Sequence, residues 1–114
     1  LYVIGEKLSV GGWALVLWGI PLRLVVVYHI TWLVNSATHC WGTVAFDSGD
    51  ESRNNAWVAA LTFGEGWHNN HHAFPSSAKQ GLFKGQIDLT WEHIKFLARL
   101  GFAKRIKLPS RSYY

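Results

Sequence analysis

The sequence predicts an all-α integral membrane protein whose histidine-rich part forms a helical cap on the cytosolic side. Three observations carry this. Residues 13–41 (WALVLWGIPLRLVVVYHITWLVNSATHCW) are almost continuously apolar, with Arg23 the single Lys, Arg, Asp or Glu among them. Nine of the eleven Lys and Arg residues lie after position 42, which by the positive-inside rule puts that region in the cytosol. Three imidazoles stand at i, i+3 and i+4 in His68-Asn69-Asn70-His71-His72.

Taken in order, residues 1–12 (LYVIGEKLSVGG) are too few to span a bilayer and read as the end of a preceding transmembrane helix followed by a Gly-Gly turn. The chain has no methionine and begins at Leu1, which leads to the expectation that its natural start lies upstream. Residues 13–41 would run about 44 Å as a helix, against a hydrocarbon core of about 30 Å. Trp13 and Trp41 mark the ends as interfacial aromatics do. Pro21 is expected to kink or break the helix, and Arg23 can snorkel to headgroups. Residues 42–55 (GTVAFDSGDESRNN) are polar and turn-rich, a loop. Residues 56–63 (AWVAALTF) read as a short helix. Gly64 and Gly66 flank Glu65 and would let the backbone pass close to a metal cage before the histidine helix begins. Residues 74–85 form a loop. From 86 to 102 apolar residues recur at positions 87, 91, 94, 97, 98 and 100, an amphipathic helix packed on the cytosolic body or lying on the membrane surface. Residues 42–102 thus make up the cytosolic metal-binding and amphipathic part, and 103–114 a basic tail.

A net charge of +4 is compatible with nucleic acid. Here the basic residues sit beside a membrane segment and no groove-reading motif accompanies them, so anionic headgroups or an acidic redox partner fit better and nucleic acid is not expected. Cys40, the single cysteine, cannot form an intrachain disulfide, in agreement with a reducing or membrane setting.

The chemistry is concentrated in the histidines. On a helix turning about 100° per residue, His68, His71 and His72 fall at about 0°, 300° and 40°, so they leave one face and can meet one metal ion or a pair. Imidazole suits zinc, copper, iron and nickel and disfavours calcium and magnesium. A zinc-protease helix needs Glu where Asn69 stands, or, in its reversed form, where His71 stands. Glu65-Gly-Trp-His68 matches the Glu-x-x-His of carboxylate-bridged di-iron bundles, but Glu6, Glu51 and Glu92 have no His three residues on, so the second such motif is missing. A further ligand group is Asn35 with His39, four apart on one face of the long helix near its cytosolic end. His29 lies on a different face and reads as a packing or tunnel-lining residue, and His93 as an ordinary, partly exposed one.

Two segments, His29-Ile-Thr-Trp-Leu-Val-Asn-Ser-Ala-Thr-His39 and Phe63-Gly-Glu-Gly-Trp-His-Asn-Asn-His-His-Ala-Phe74, resemble the C-terminal portion of membrane fatty acyl desaturases, in particular the Δ9 (stearoyl-type) acyl-CoA and acyl-lipid group. The resemblance covers about residues 23–101. It implies the C-terminal part of a multi-pass helical desaturase domain. It also implies that His68, His71 and His72 are the third of the family's histidine boxes, that His39 is an additional ligand, that Asn35 contacts one metal through water, and that the complete site holds two Fe(2+) ions. The family's other two boxes are not in this sequence. Thr31 and Trp32 match family positions near the acyl tunnel, although helix packing explains them as well. The implied reaction is O2-dependent desaturation of a saturated acyl-CoA or acyl-lipid, fed by electrons from ferredoxin or cytochrome b5, in the endoplasmic reticulum or a bacterial or thylakoid membrane. The alternatives are a related di-iron membrane hydroxylase or ketolase, whose product retains oxygen, and a non-catalytic membrane metal-binding protein.

Overall fold

The computed structural model describes residues 1–109; the end of the basic tail, 110–114, lies outside the described residues. The fold is helical: α1 (Tyr2–Lys7), α2 (Gly12–Leu17), a π-helical turn (Trp18–Leu22), α3 (Arg23–Cys40), α4 (Ala56–Leu61), α5 (His68–Ala73) and α6 (Leu89–Arg99). Among the described residues, β pairing is limited to two isolated antiparallel bridges, Thr43 with Asn54 and Asn54 with Trp67. The chain divides into two compact units, Leu1–Trp32 and Leu33–Tyr114.

In the first unit α1 turns back through Ser9 and Gly11, both at positive φ, and packs against α2. The helices approach closely because two glycines meet. A Cβ on Gly5 would stand 2.7 Å from the Gly11 carbonyl oxygen. Tyr2 meets Trp13 edge to face at 5.4 Å, and the Gly12 N–H donates to Glu6 Oε1 at 2.6 Å. From Gly12 to Cys40 the helical run is 29 residues long and apolar enough to cross a membrane. Leu24, Val25, Val26, Val27 and Tyr28 are all exposed. Five consecutive residues cover the whole circumference of a helix, so this stretch presents apolar side chains on every side, as a lipid-facing helix does. Pro21 does not break the run. It sits inside the π-helical turn, where the wider i→i+5 geometry takes up the missing N–H and the ring.

The second unit has a small apolar centre, Val34 and Ala37 of α3 against Val58 of α4. Its other buried side chains are mainly polar: Thr38, Ser52, Asn54, Thr62, Asn69, Asn70 and Asp88. Asn55 caps α4, its side chain accepting from Trp57 N at 3.0 Å and Val58 N at 3.1 Å, and such a cap contributes about 1 kcal/mol. Two expectations are corrected here. The close approaches that need glycine at 64 and 66 are made to other groups: Gly64, at positive φ, passes the Asp88 carboxylate, and Gly66 passes the first turn of α4 at Asn55 and Ala59. The amphipathic helix expected over 86–102 is shorter, because the Asp88 side chain accepts from Trp91 N at 2.8 Å and starts it at Leu89, while Gly101 at positive φ ends it.

Candidate metal centre

α5 is six residues long, too short to be stable by itself. Its two asparagines hold it. At about 100° per residue they leave the helix at about 100° and 200°, opposite the histidines. Asn69 is fully buried. Its Oδ1 accepts from the backbone of Ala45 and Phe46, both at 2.8 Å, and its Nδ2 donates to Phe46 O at 2.9 Å and Ser48 Oγ at 3.1 Å. Asn70 pairs with Asn54 in both directions, at 2.7 Å and 3.2 Å, and donates to Gln80 O at 2.7 Å and Gln86 Oε1 at 2.8 Å. Every one of these partners is a loop group, so the loops and α5 order one another.

With the asparagines turned inward, His68 and His72 face His39 at the end of α3. One ring nitrogen of each lies within 4.8 Å of the others. The ring centroids stand 5.1 Å (His39–His68), 5.4 Å (His39–His72) and 4.3 Å (His68–His72) apart, and His68 Nε2 and His72 Nε2 are 3.0 Å apart. His71 lies beside this triad, its ring 6.0 Å from His68 and 5.8 Å from His72, and its Nδ1 is buried with no hydrogen-bond partner.

These donors fit a metal ion. Two imidazole nitrogens on one ion, each about 2.1 Å from it, sit about 3 Å apart when they meet it at a right angle and about 3.4 Å apart in a tetrahedron, close to the 3.0 Å between the Nε2 atoms of His68 and His72. Burial, followed by the neighbouring His72, His39 and His71, lowers the pKa of His68 from 6.5 to about 4, which keeps its imidazole neutral and able to bind metal at neutral pH. His71 Nδ1 is a buried donor or acceptor that an ion outside the triad would satisfy.

The other predicted residues are distributed differently. Asn35 lies one turn before His39 on α3 and is exposed. Thr31 and Trp32 belong to the first unit, where the Thr31 hydroxyl donates to Val27 O at 2.9 Å and Trp32 lies 5.5 Å from the ring of His29. His93 is exposed on α6. The Glu65 carboxylate accepts from Gln80 Nε2 at 3.1 Å and is not among the converging donors. Periodicity did not reveal Asp50, whose Oδ2 accepts from His72 Nδ1. The Ser52 hydroxyl and backbone N–H, with the Ser48 hydroxyl, hold its carboxyl well below the usual carboxylate range. The sequence signal for it was the serine-flanked turn Ser48-Gly49-Asp50-Glu51-Ser52.

The fold and site define a helical protein with a long apolar helix and a cluster of histidines able to hold a metal ion. Residues 7–104 match the family model for fatty acid desaturase, and the chain belongs to that family. It is 62% identical over 89% of its length to the sn-1 stearoyl-lipid 9-desaturase of Synechocystis sp.. It is also 58% identical over 91% of its length to the chloroplastic palmitoyl-monogalactosyldiacylglycerol delta-7 desaturase of Arabidopsis thaliana, and 51% identical over 88% to the acyl-CoA C20 Delta5-desaturase of Anemone leveillei. The aligned part spans 32%, 28% and 32% of these relatives, respectively.

Proposed function

We propose that this chain supplies part of the metal site of a multi-pass membrane fatty acyl desaturase, in which a saturated acyl chain becomes a cis-alkene while O2 is reduced to water. The observation that carries this is the convergence of His39, His68 and His72 from two helices in a member of the desaturase family. Two unactivated methylenes offer no acidic proton and no leaving group, so acid–base side chains alone cannot desaturate them. Iron, when bound, supplies the oxidising chemistry. In this reading His39, His68 and His72 hold one ion. His71 serves a second, together with ligands outside this sequence, and Asn35 contacts one of them through water. The neutral state of His68 keeps the donor set ready for metal, and the asparagine-anchored loops keep the imidazoles in place before metal arrives.

The span Gly12–Cys40 crosses the membrane, with residues 42–114 on the cytosolic side and Thr31 and Trp32 toward the acyl tunnel. Stearoyl-type Δ9 chemistry on an acyl-lipid is the assignment favoured by the Synechocystis relative. Relatives named for positions 7 and 5 and for acyl-CoA mark the alternatives in regiochemistry and carrier. Electrons come from ferredoxin or cytochrome b5, and a chloroplast or cyanobacterial membrane is the favoured location. A hydroxylase or ketolase is disfavoured because these relatives are named desaturases.

The test uses the full-length protein in a host fed saturated fatty acid, with membrane lipids analysed for double bonds and the purified protein for iron. His39→Ala, His68→Ala and His72→Ala should each lose unsaturated product and iron together. A full iron complement with normal turnover in His72→Ala, or a product retaining oxygen, would overturn the assignment.

A further inference from the structure

The bond between Asp50 and His72 has no part in the reading above. Asp50 lies in the loop joining α3 to α4, and both of its carboxylate oxygens are engaged. Oδ1 accepts from Ser48 Oγ at 2.8 Å and from the Ser52 backbone N–H at 2.9 Å, which fixes the plane of the group. Oδ2 faces His72 Nδ1. An ionised carboxylate can only accept, so the proton on this bond belongs to His72 Nδ1 and the lone pair is left on Nε2. That Nε2 is the atom 3.0 Å from His68 Nε2. The loop is tied to the same helix, because Asn69 Nδ2 donates to Ser48 Oγ at 3.1 Å and Ser52 Oγ at 3.3 Å. α5 therefore carries the imidazole and also grips the loop that orients it. Among the described residues, no other histidine of the cluster has a carboxylate partner.

We propose that Asp50 is a positioning residue for the metal site: by accepting the His72 Nδ1 proton it fixes the tautomer and ring orientation that turn Nε2 toward the ion. This rests on reading His39, His68 and His72 as metal ligands. A carboxylate behind a ligating imidazole raises its basicity and holds its ring, and losing such a partner costs about 10- to 100-fold in metal affinity or activity. Asp50 would then act through His72 without touching the ion or the acyl chain.

Asp50→Asn in the full-length protein separates this role from a purely local one in the loop. The asparagine Oδ1 keeps the bonds from Ser48 and Ser52, but its Nδ2 presents hydrogens to His72 Nδ1. The imidazole must then accept there and carry its proton on Nε2, where it blocks the ligand atom. Purified protein loaded with Fe2+ is titrated with a chelator, and the metal-free protein is followed by thermal unfolding. The expected result is iron binding weakened about 10- to 100-fold with the metal-free melting temperature unchanged. Unaltered iron affinity, or metal-free Asp50→Asn protein that fails to fold, would overturn the proposal, the latter by placing the role of Asp50 in the loop. If the unsubstituted protein binds no iron, the metal-site reading falls first and this inference with it.

Discussion

In the unit Leu1–Trp32 the exposed side chains of the long helix are mostly apolar, with Arg23, His29 and Thr31 among them, whereas in the unit that starts at Leu33 half of the buried side chains are amides, hydroxyls and a carboxylate. This inverts the usual arrangement of a water-soluble protein. The first unit satisfies its backbone within helices and leaves its apolar surface for a surrounding of like polarity. The second has little apolar core and is held by hydrogen bonds from a few side chains to loop backbone: Asn55 on α4, Asn69 on residues 45–46, Asp88 on Gln80, Gly81 and Trp91. A helix that needs a particular environment thus leads into a site that needs particular partners. The first tolerates many sequences of one character, and the second depends on single atoms.

The sharpest way to break this contrast is a charge in the middle of the apolar run. Val26 is exposed, so in water Val26→Asp would cost almost nothing. In a bilayer a carboxylate near the helix centre costs about 2.5–3.5 kcal/mol, the largest effect expected of any single exposed position in this chain. Alkaline extraction of membranes should release a substantially larger share of full-length Val26→Asp than of the unsubstituted protein. Equal retention would mean that the helix does not face lipid.

Next in size is Asn69→Ala. It leaves the N–H groups of Ala45 and Phe46, the carbonyl of Phe46 and two serine hydroxyls without their partner. Each buried group left unpaired costs about 1–3 kcal/mol. Ala45 is exposed and finds water, so the net loss should be about 2–3 kcal/mol in thermal or denaturant unfolding. Asn69→Asp, which keeps the acceptor and loses the donor, should fall between. A loss below about 0.5 kcal/mol, the range of an ordinary surface substitution, would show that the loop is held by something else.

How far the sequence could be read follows the same division. Hydropathy located the helical run to within a residue at each end, 13–41 against Gly12–Cys40, because a membrane-length apolar stretch leaves the backbone one solution. Spacing put His68, His71 and His72 on one face of a helix for a similar reason. What was not legible depends on contacts distant in sequence. That His71 would stand beside the triad, that Gly64 and Gly66 would serve α4 and Asp88, and that Asp50 would reach His72 across 22 residues are settled by how irregular loops fold over α5, and no local period encodes them. Both ends of α6 fall inside the expected 86–102, because a capping carboxylate at Asp88 and a left-handed glycine at Gly101 outweigh apolar periodicity at the termini.

The smallest expected effect concerns protons and sharpens the contrast between the two units. His68 has its pKa lowered from 6.5 to about 4, first by burial and then by the neighbouring imidazoles. Between those values the unfolded chain binds a proton at this position that the folded chain resists, so stability falls as pH falls through that window and is fully present above it. Asp50 is also shifted downward, but from a lower starting value of 3.8, so its contribution is lost only below that pH and leaves the His68 window clear. Metal-free full-length protein should therefore melt at progressively lower temperature between pH 6.5 and 4.5. His68→Gln, which carries no titrating group, should flatten the slope, and saturating Fe2+ should protect the upper part of the window by competing with the proton. A slope that persists unchanged in His68→Gln would assign the proton uptake to another group and remove burial of His68 as the reason its imidazole stays neutral.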